Sequence, residues 1–440
     1  MSALPPGFLS FSPLRGLHFI REPDDFFREC IATYGDPFCA RLQTGPVAVT
    51  AEPEGAREVF TADPDTFEPL SRLLLEPVVG ESSVLLLAGE RHKRERRLLM
   101  PPFHGERMRA YGALMQDCTR RQLEGRAPGS NVVAQKLTQA ISLEIIIRAV
   151  FGVEEPERRR QFHEALVEYV EAYTPMLALV KGLRQSFGGL GPWARFQRKV
   201  ARLDALLTEE LGRRRASGEG REDVLSLLLS ARDEDGQPMT DTEVKDELRT
   251  MLIAGHETTA IGMTWALHHL HRNPEARRRL EEELAPLGPK PEPEALTRLP
   301  WLSAVCDESL RLHPVIHLVT RKLRRPFTLR GYELPAGMGL MVAIIRIHAH
   351  PTVYPEPERF RPERFLERKY SPFEYLPFGG GNRRCLGAAF ALYEMKVVLG
   401  SLLAAHRFES TQDTPIRPVR RHVTMSPDRD VVLRYSGPVG

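Results

Sequence analysis

Cysteine is scarce in this sequence. Five occur in 440 residues: Cys30, Cys39, Cys118, Cys306 and Cys385. The count is odd, the spacing irregular, and no CxxC pair is present, which argues against a disulfide framework or a zinc ribbon and fits a reducing cytoplasm. Charge of one sign is lacking too. With 61 basic and 58 acidic side chains the net charge is +3, too even to point to nucleic acid as a partner. No run of 18 or more apolar residues is seen, so no membrane span is expected. The opening Met1-Ser-Ala-Leu-Pro-Pro-Gly7 has neither a basic nor an apolar leader region, so no signal peptide is expected. Fixed-period repeats and low-complexity tracts are absent. Disorder is excluded for most of the chain, because 42% hydrophobic residues can build a large core. Proline, by contrast, is abundant: 36 residues, above the usual ~5%. It is scattered, which reads as many sharp connections and not as a linker dividing the chain.

The N-terminal part reads as short strands and turns. Pro37 to Leu42 and Val47 to Thr50 look like a hairpin around Gln43–Pro46. From about residue 90 to 315 the pattern is mostly helical. Leu143, Ile146, Ile147 and Val150 share one helix face, with breaks at Ser217–Gly220 and Asp235–Pro238. The longest helix is expected to start at Thr240, where Thr240 and Glu243 fit a capping box. It runs to Asn273-Pro274, which reads as the Asn cap and first-turn Pro of the next helix. A shorter helix, about Pro300 to His313, stops at Pro314. Strands are expected over 320–345 with a turn at Pro335–Gly337, then a proline-rich coil over 351–377, a last helix after Cys385, and C-terminal strands.

Four constellations carry chemistry. In Phe378-Gly-Gly-Gly-Asn-Arg-Arg-Cys385-Leu-Gly387 a cysteine sits just before a helix, behind three glycines and two arginines. Helix N–H groups and nearby cations favour a thiolate there, and Gly387 lets a bulky group lie close to the chain. A phosphate loop fits poorly, since Arg384 stands where GxGxxG needs its last glycine. In Ala254-Gly-His-Glu-Thr-Thr259 an acid beside a hydroxyl sits in an apolar helix, which is expensive unless it works. Thr258 can bond back to the Ala254 carbonyl and bend or bulge the helix, opening a groove beside Gly255. The HExxH zinc pattern fails at Ala260. His268, His269 and His271 read as surface residues suited to the helix C-terminal dipole. Glu308 and Arg311 share a helix face, and Arg364 can join them as a buried triad. His92 and Arg96, at i and i+4, can meet one anion together, or else form a solvated basic face.

In this order and spacing the motifs resemble the cytochrome P-450 superfamily, the haem-thiolate monooxygenases, from about residue 30 onward. FxxGxRxCxG is met by Phe378, Gly381, Arg383, Cys385 and Gly387. AGxETT is met by Ala254, Gly255, Glu257, Thr258 and Thr259, ExxR by Glu308 and Arg311, and PxRF by Pro362, Arg364 and Phe365. The resemblance implies a mainly α fold with a small β region, a triangular single domain over 1–440 whose residues 1–30 are a lead segment without a membrane anchor. Haem b would lie between the long central helix and the Cys-loop helix. Cys385 would be the axial metal ligand, with Phe378 shielding it. His92, Arg96, Arg321 and Arg383 would meet the propionates, and Glu257 and Thr258 would deliver protons to bound O2. Glu308, Arg311 and Arg364 would be structural.

Arg383 and Glu257 stand where many soluble bacterial members carry His and Asp. Both choices look like the branch holding membrane-bound and fatty-acid-hydroxylating members, so a soluble bacterial enzyme of that branch is expected. About 55 residues follow Cys385, too few for a fused redox domain, so a separate ferredoxin or flavodoxin with its reductase is implied. Lys93, Arg94, Arg97, Arg368 and Lys369 could form its docking face. A monomer is expected. Leu73–Val79 (read as a loop), Leu252–Gly255, Ile316–Val319 and Met425–Pro427 would face a lipophilic substrate: fatty acid or terpenoid ahead of steroid or polyketide. His317 is the one polar candidate among them. Rival readings are a haem-thiolate peroxygenase or isomerase, which Glu257-Thr258 disfavours, and a non-enzymatic haem carrier or sensor.

Overall fold

The structure is a computed structural model describing residues 4–43, 45–70, 72–103, 105, 107–174, 177, 182, 184–217, 221–411, 414–421 and 423–439. Of the expected break at Ser217–Gly220, residues 218–220 lie outside these; the helix before it, Gly191–Ser217, ends on schedule. Two compact units interleave along the chain. One comprises Met1–Leu70, Thr119–Thr138 and Thr258–Gly440, the other Ser71–Cys118 and Gln139–Glu257.

The first unit holds the β structure. Phe38–Leu42 and Gly45–Thr50 form the expected antiparallel hairpin. Gly45–Thr50 then runs parallel to Gly339–Val342, which pairs antiparallel with Val319–Leu323, and Phe67–Glu68 closes the five-stranded sheet. Side chains alternate between faces with the strand period of two. Phe38, Ala40, Val47, Val49 and Met341 enter one apolar cluster, while Cys39, Ala48, Leu340 and Val342 enter another. Both faces are therefore core, which explains the near-continuous apolar runs. The turn at Pro335 closes through Met338 N–H on the Pro335 carbonyl, 3.3 Å. Strands His406–Ser410, Val432–Pro438 and Asn131–Val133 form a second sheet.

The N-terminal reading as strands and turns needs correction: two helices, Pro13–Arg21 and Pro23–Tyr34, come first. Each has proline in its first turn, where the missing N–H costs nothing. Ala388–Ala405 is long and apolar enough to cross a membrane by composition, with mean hydropathy 1.5. It carries Glu394 and Lys396 and is 61% buried inside the protein, as a core helix is.

In the second unit, Arg72–Val79 is a helix and not a loop, followed by Gly89–Leu99. Leu143, Ile146, Ile147 and Val150 are all buried, but α-helix gives way to a π-helical turn at Ile146–Val150. The long helix is Asp241–Arg272. Its capping box forms: Thr240 N–H donates to Glu243 Oε2 at 2.8 Å, and Glu243 N–H to Thr240 Oγ1 at 3.2 Å. Asn273 does not cap the next helix, Pro274–Leu284, with its side chain. Its Nδ2 instead donates back to the His269 carbonyl at 2.7 Å, closing the end of the long helix.

Candidate active site

The cysteine loop lies in the first unit, and its glycines each answer a steric demand. Gly379 and Gly381 sit at φ +65° and +66°, the left-handed region that side chains avoid. A Cβ on Gly380 would lie 2.6 Å from the Phe60 ring, and one on Gly381 2.6 Å from the Phe60 carbonyl oxygen. The loop closes where Cys385 N–H donates to the Phe378 carbonyl at 3.0 Å. Gly387 then caps Ala388–Ala405. A Cβ on Gly387 would meet nothing within 4 Å, so the face beside the cysteine is open.

The five thiols divide sharply. Cys385 is exposed and the other four are buried. Burial raises Cys30 and Cys39 to about 11 and Cys118 and Cys306 to about 12, which holds them as inert thiols. Arg321 supplies a second observation. Burial, and then the positive charge of Arg383, push its guanidinium down to about 9. Its hydrogen bond is to the Thr320 carbonyl, 2.8 Å, which offers no counter-charge. An anion beside Arg321 would relieve it. An exposed soft ligand, a buried arginine pressed by a second positive charge, and an open glycine face together fit a haem held through its iron and its propionates.

Glu308, Arg311 and Arg364 form the expected triad, at most 2% exposed. Glu308 accepts from Arg311 Nε at 2.6 Å and Nη2 at 2.9 Å, from Arg364 Nε at 3.0 Å and from Arg361 N–H at 2.8 Å. The three are thus a buried cluster and not a surface ion pair.

In the second unit His92 is buried and Arg96 half-buried, while Arg91, Lys93 and Arg97 are exposed. The helical period thus puts His92 and Arg96 on the inner face, and a solvated basic face does not describe them. On the long helix, Ala254 is exposed although Leu252, Thr259 and Ala260 around it are buried. Of the expected bend or bulge, the bulge does not form: the helix stays α through 254–259. A π turn lies at Ile146–Val150 instead, and a Cβ on Gly255 would press on Ile146 Cδ1 at 3.3 Å. Glu257 and Thr258 are half-buried on consecutive positions.

Two further features escaped sequence reasoning. Asp246 Oδ2 accepts from Ser82 N–H at 2.9 Å, Glu247 Oε1 from Val84 N–H at 2.6 Å, and Thr250 Oγ1 bonds Ser83 Oγ at 2.7 Å, so one helix face pins the 82–84 segment. His268, His269 and His271 are not surface residues. Burial lowers His268 and His271 to about 4 and His269 well below its ordinary value; desolvation outweighs the helix dipole. The docking face is also revised. Lys93 pairs with Glu90, Arg94 with Asp233 and Glu243, Arg97 with Glu234, and Arg368 with Glu374, so the chain's own carboxylates offset most of it.

A cytochrome P450 family model matches residues 5–434. The chain belongs to the cytochrome P450 family. It is 34% identical over 437 residues to a putative cytochrome P450 135B1 of Mycobacterium tuberculosis, covering 98% of this chain and 91% of that protein. It is also 34% identical over 441 residues to a putative cytochrome P450 135A1 of the same organism, at 98% and 95% coverage. Among solved structures, a retinoic acid bound cyanobacterial CYP120A1 matches with a TM-score of 0.86, 26% identity and full coverage of both chains. The mainly α P450 fold and the assignment as a haem-dependent monooxygenase that uses O2 follow from these likenesses.

Proposed function

We propose that this P450 binds haem b through Cys385 and hydroxylates or epoxidises a lipophilic substrate, with electrons from a separate ferredoxin or flavodoxin and its reductase. One observation carries the reading: Cys385 is the exposed thiol of five, on a loop whose three glycines are sterically required, near the mutually repelling Arg321 and Arg383. Arg321 and Arg383 hold the propionates. His92 and Arg96 join them by their place in the family pattern and on the inner face of their helix. Phe378 covers the sulfur, Ala254 and Gly255 give a flat helix face, and Gly387 leaves room beside the ligand. Bound haem would supply oxygen activation, and Cys385 as its thiolate ligand would favour that chemistry. The chain's part is protons and a dry pocket: Thr258 Oγ1 donates a hydrogen bond, and the Glu257 carboxyl passes protons toward it through water.

The substrate is lipophilic, a fatty acid or terpenoid first, because Ile316, Leu318 and Val319 are apolar and only half-buried. The retinoic acid named with the cyanobacterial structure is a lipophilic acid of this class. His317 suits one polar group on it. It is 2% exposed, neither ring nitrogen has a partner, and burial, then Arg420, lowers it to about 3. The chain reads as one P450 domain acting as a monomer in the cytoplasm.

Carbon monoxide added to the reduced, purified protein is the test. A thiolate-type absorbance supports the reading, and an imidazole-type one in undamaged protein refutes it. Thr258→Ala is expected to uncouple electron use from product; equal coupling would remove its proton role. Screening fatty acids and terpenoids for a haem spin-state shift tests the substrate class.

A further inference from the structure

His348 belongs to none of the motifs, yet both its ring nitrogens are engaged at 1% exposure. Leu376 N–H points at Nε2, 2.7 Å away. An amide nitrogen only donates, so Nε2 is the bare acceptor and the proton sits on Nδ1. Nδ1 in turn lies 3.2 Å from the Arg311 carbonyl, which only accepts. Arg311 answers with Nη1 on the His348 carbonyl at 2.8 Å. The tautomer is thus dictated by its partners. The ring also stacks on Tyr375, with centroids 5.6 Å apart and planes at 23°. The Tyr375 hydroxyl donates to the Asp307 carbonyl at 3.1 Å and lies 3.0 Å from its carboxylate. The two residues that open the cysteine loop, Tyr375 and Leu376, are therefore tied to one helix at Asp307 and Arg311, one turn apart. From Leu376 the line continues: its carbonyl accepts Gly379 N–H at 2.9 Å, and Phe378 accepts Cys385 N–H.

We propose that His348 is a positioning residue, carrying the rigidity of the Glu308–Arg311 pair into the Cys385 loop through its bond to Leu376 N–H, and so holding the sulfur where it ligates. The inference rests on Cys385 being the haem ligand. Burial, with the positive charge of Arg311, keeps the ring neutral down to about 3. The acceptor therefore persists at every pH at which the protein works. A cationic ring would turn an N–H onto an N–H.

The test compares His348→Gln, His348→Asn and His348→Phe in the full chain. A glutamine amide reaches the Nε2 position and keeps an acceptor for Leu376. Asparagine reaches only the Nδ1 position, and phenylalanine keeps the volume and stacking without either bond. Three readouts are taken: the share of the reduced carbon monoxide complex with thiolate-type absorbance, the alkylation rate of Cys385 in the haem-free chain, and the thermal midpoint. The Gln variant is expected to match the parent. Asn and Phe are expected to alkylate about fivefold faster, the population shift that one lost buried hydrogen bond brings, and to lose thiolate-type absorbance by a similar factor. Asn and Gln should melt within a few degrees of each other. Should Asn behave as Gln does, or should losses in all three follow the thermal midpoint alone, the positioning role is overturned. Should Phe fail to fold, the Gln–Asn comparison decides. An imidazole-type spectrum in the parent would refute the haem-thiolate reading instead, and the alkylation arm would still judge His348.

Discussion

Mild acid is expected to loosen this protein well before its exposed carboxylates protonate. Burial holds six histidines neutral: His256, His268 and His271 at about 4, and His313, His317 and His348 at about 3. In the unfolded chain each titrates near ~6.5. Below that pH the unfolded chain binds more protons than the folded one, so stability falls as pH falls, until the folded values are reached. Three buried carboxyls act in the opposite sense. Burial raises Asp36 and Asp307 to about 6 and Glu95 to about 7, so the folded chain binds their protons first and gains stability as pH drops. Burial also lowers His269 well below and raises Glu247 well above their ordinary values, and these two act in opposite senses. Between about pH 7 and about pH 5.5 the six histidines cost about 7 kcal/mol and the three carboxyls return about 3, leaving a loss of about 4 kcal/mol. Against a typical total of about 5–15 kcal/mol, that is a large share.

Urea unfolding at the two pH values, followed by far-ultraviolet circular dichroism, measures the difference directly. The midpoint should drop at the lower pH with an unchanged slope, since the surface exposed is the same. A midpoint equal or higher at about pH 5.5 would show that these histidines are not held neutral by the fold, and would refute the reasoning.

Glu308→Gln leaves Arg311 and Arg364 buried without their counter-charge and should cost about 3–5 kcal/mol, read from denaturant midpoints; a loss under about 1 kcal/mol would show that the triad is not structural. Gly381→Ala must force a Cβ to within 2.6 Å of the Phe60 carbonyl at φ +66°, and should abolish haem retention, whereas Gly387→Ala meets open space and should change haem-free stability by less than about 0.5 kcal/mol. A thiol reagent at neutral pH should modify one cysteine of the native haem-free chain quickly, and Cys385→Ser should abolish that phase; two fast phases would contradict the burial of the other four.

The cysteine loop could be read from sequence because its geometry dictates residue type. Positive φ and close backbone approach at Gly379–Gly381 admit little besides glycine, and the arginines beside them mark where an anion is wanted. The Glu308–Arg311 pair was legible as a spacing, but its depth was not. Full burial depends on Arg364, Arg361 and Tyr354, which arrive from more than forty residues away. Other features were legible and misread. Pro13 and Pro23 each open a helix, and Asp24 and Asp25 fill the first turn of the second, a start signal that the local strand pattern obscured. The histidines of the long helix failed for an energetic reason. A C-terminal dipole stabilises a cation by about 0.3–1 kcal/mol, while enclosure of His269 by Trp265, His313 and Phe360, stacked on it at 4.7–6.1 Å, removes the water that a cation needs.

What stayed invisible shares one property. His348 meets Leu376 across 28 positions, and Glu247 meets Val84 across 163. Each is an ordinary polar residue in its own neighbourhood, and its role exists only once the fold supplies a single backbone N–H for it to accept. Motif residues announce themselves because chemistry restricts the side chain; positioning residues do not, because many side chains could accept one hydrogen bond and only the partner's address is fixed. The His348 variants and the Glu308 variant therefore probe different things. Removing the charge at Glu308 should lower the stability of the whole first unit, and removing one acceptor at His348 should free the loop alone. A His348→Asn chain that melts like the parent yet presents Cys385 to reagent faster would separate holding the fold from holding the ligand.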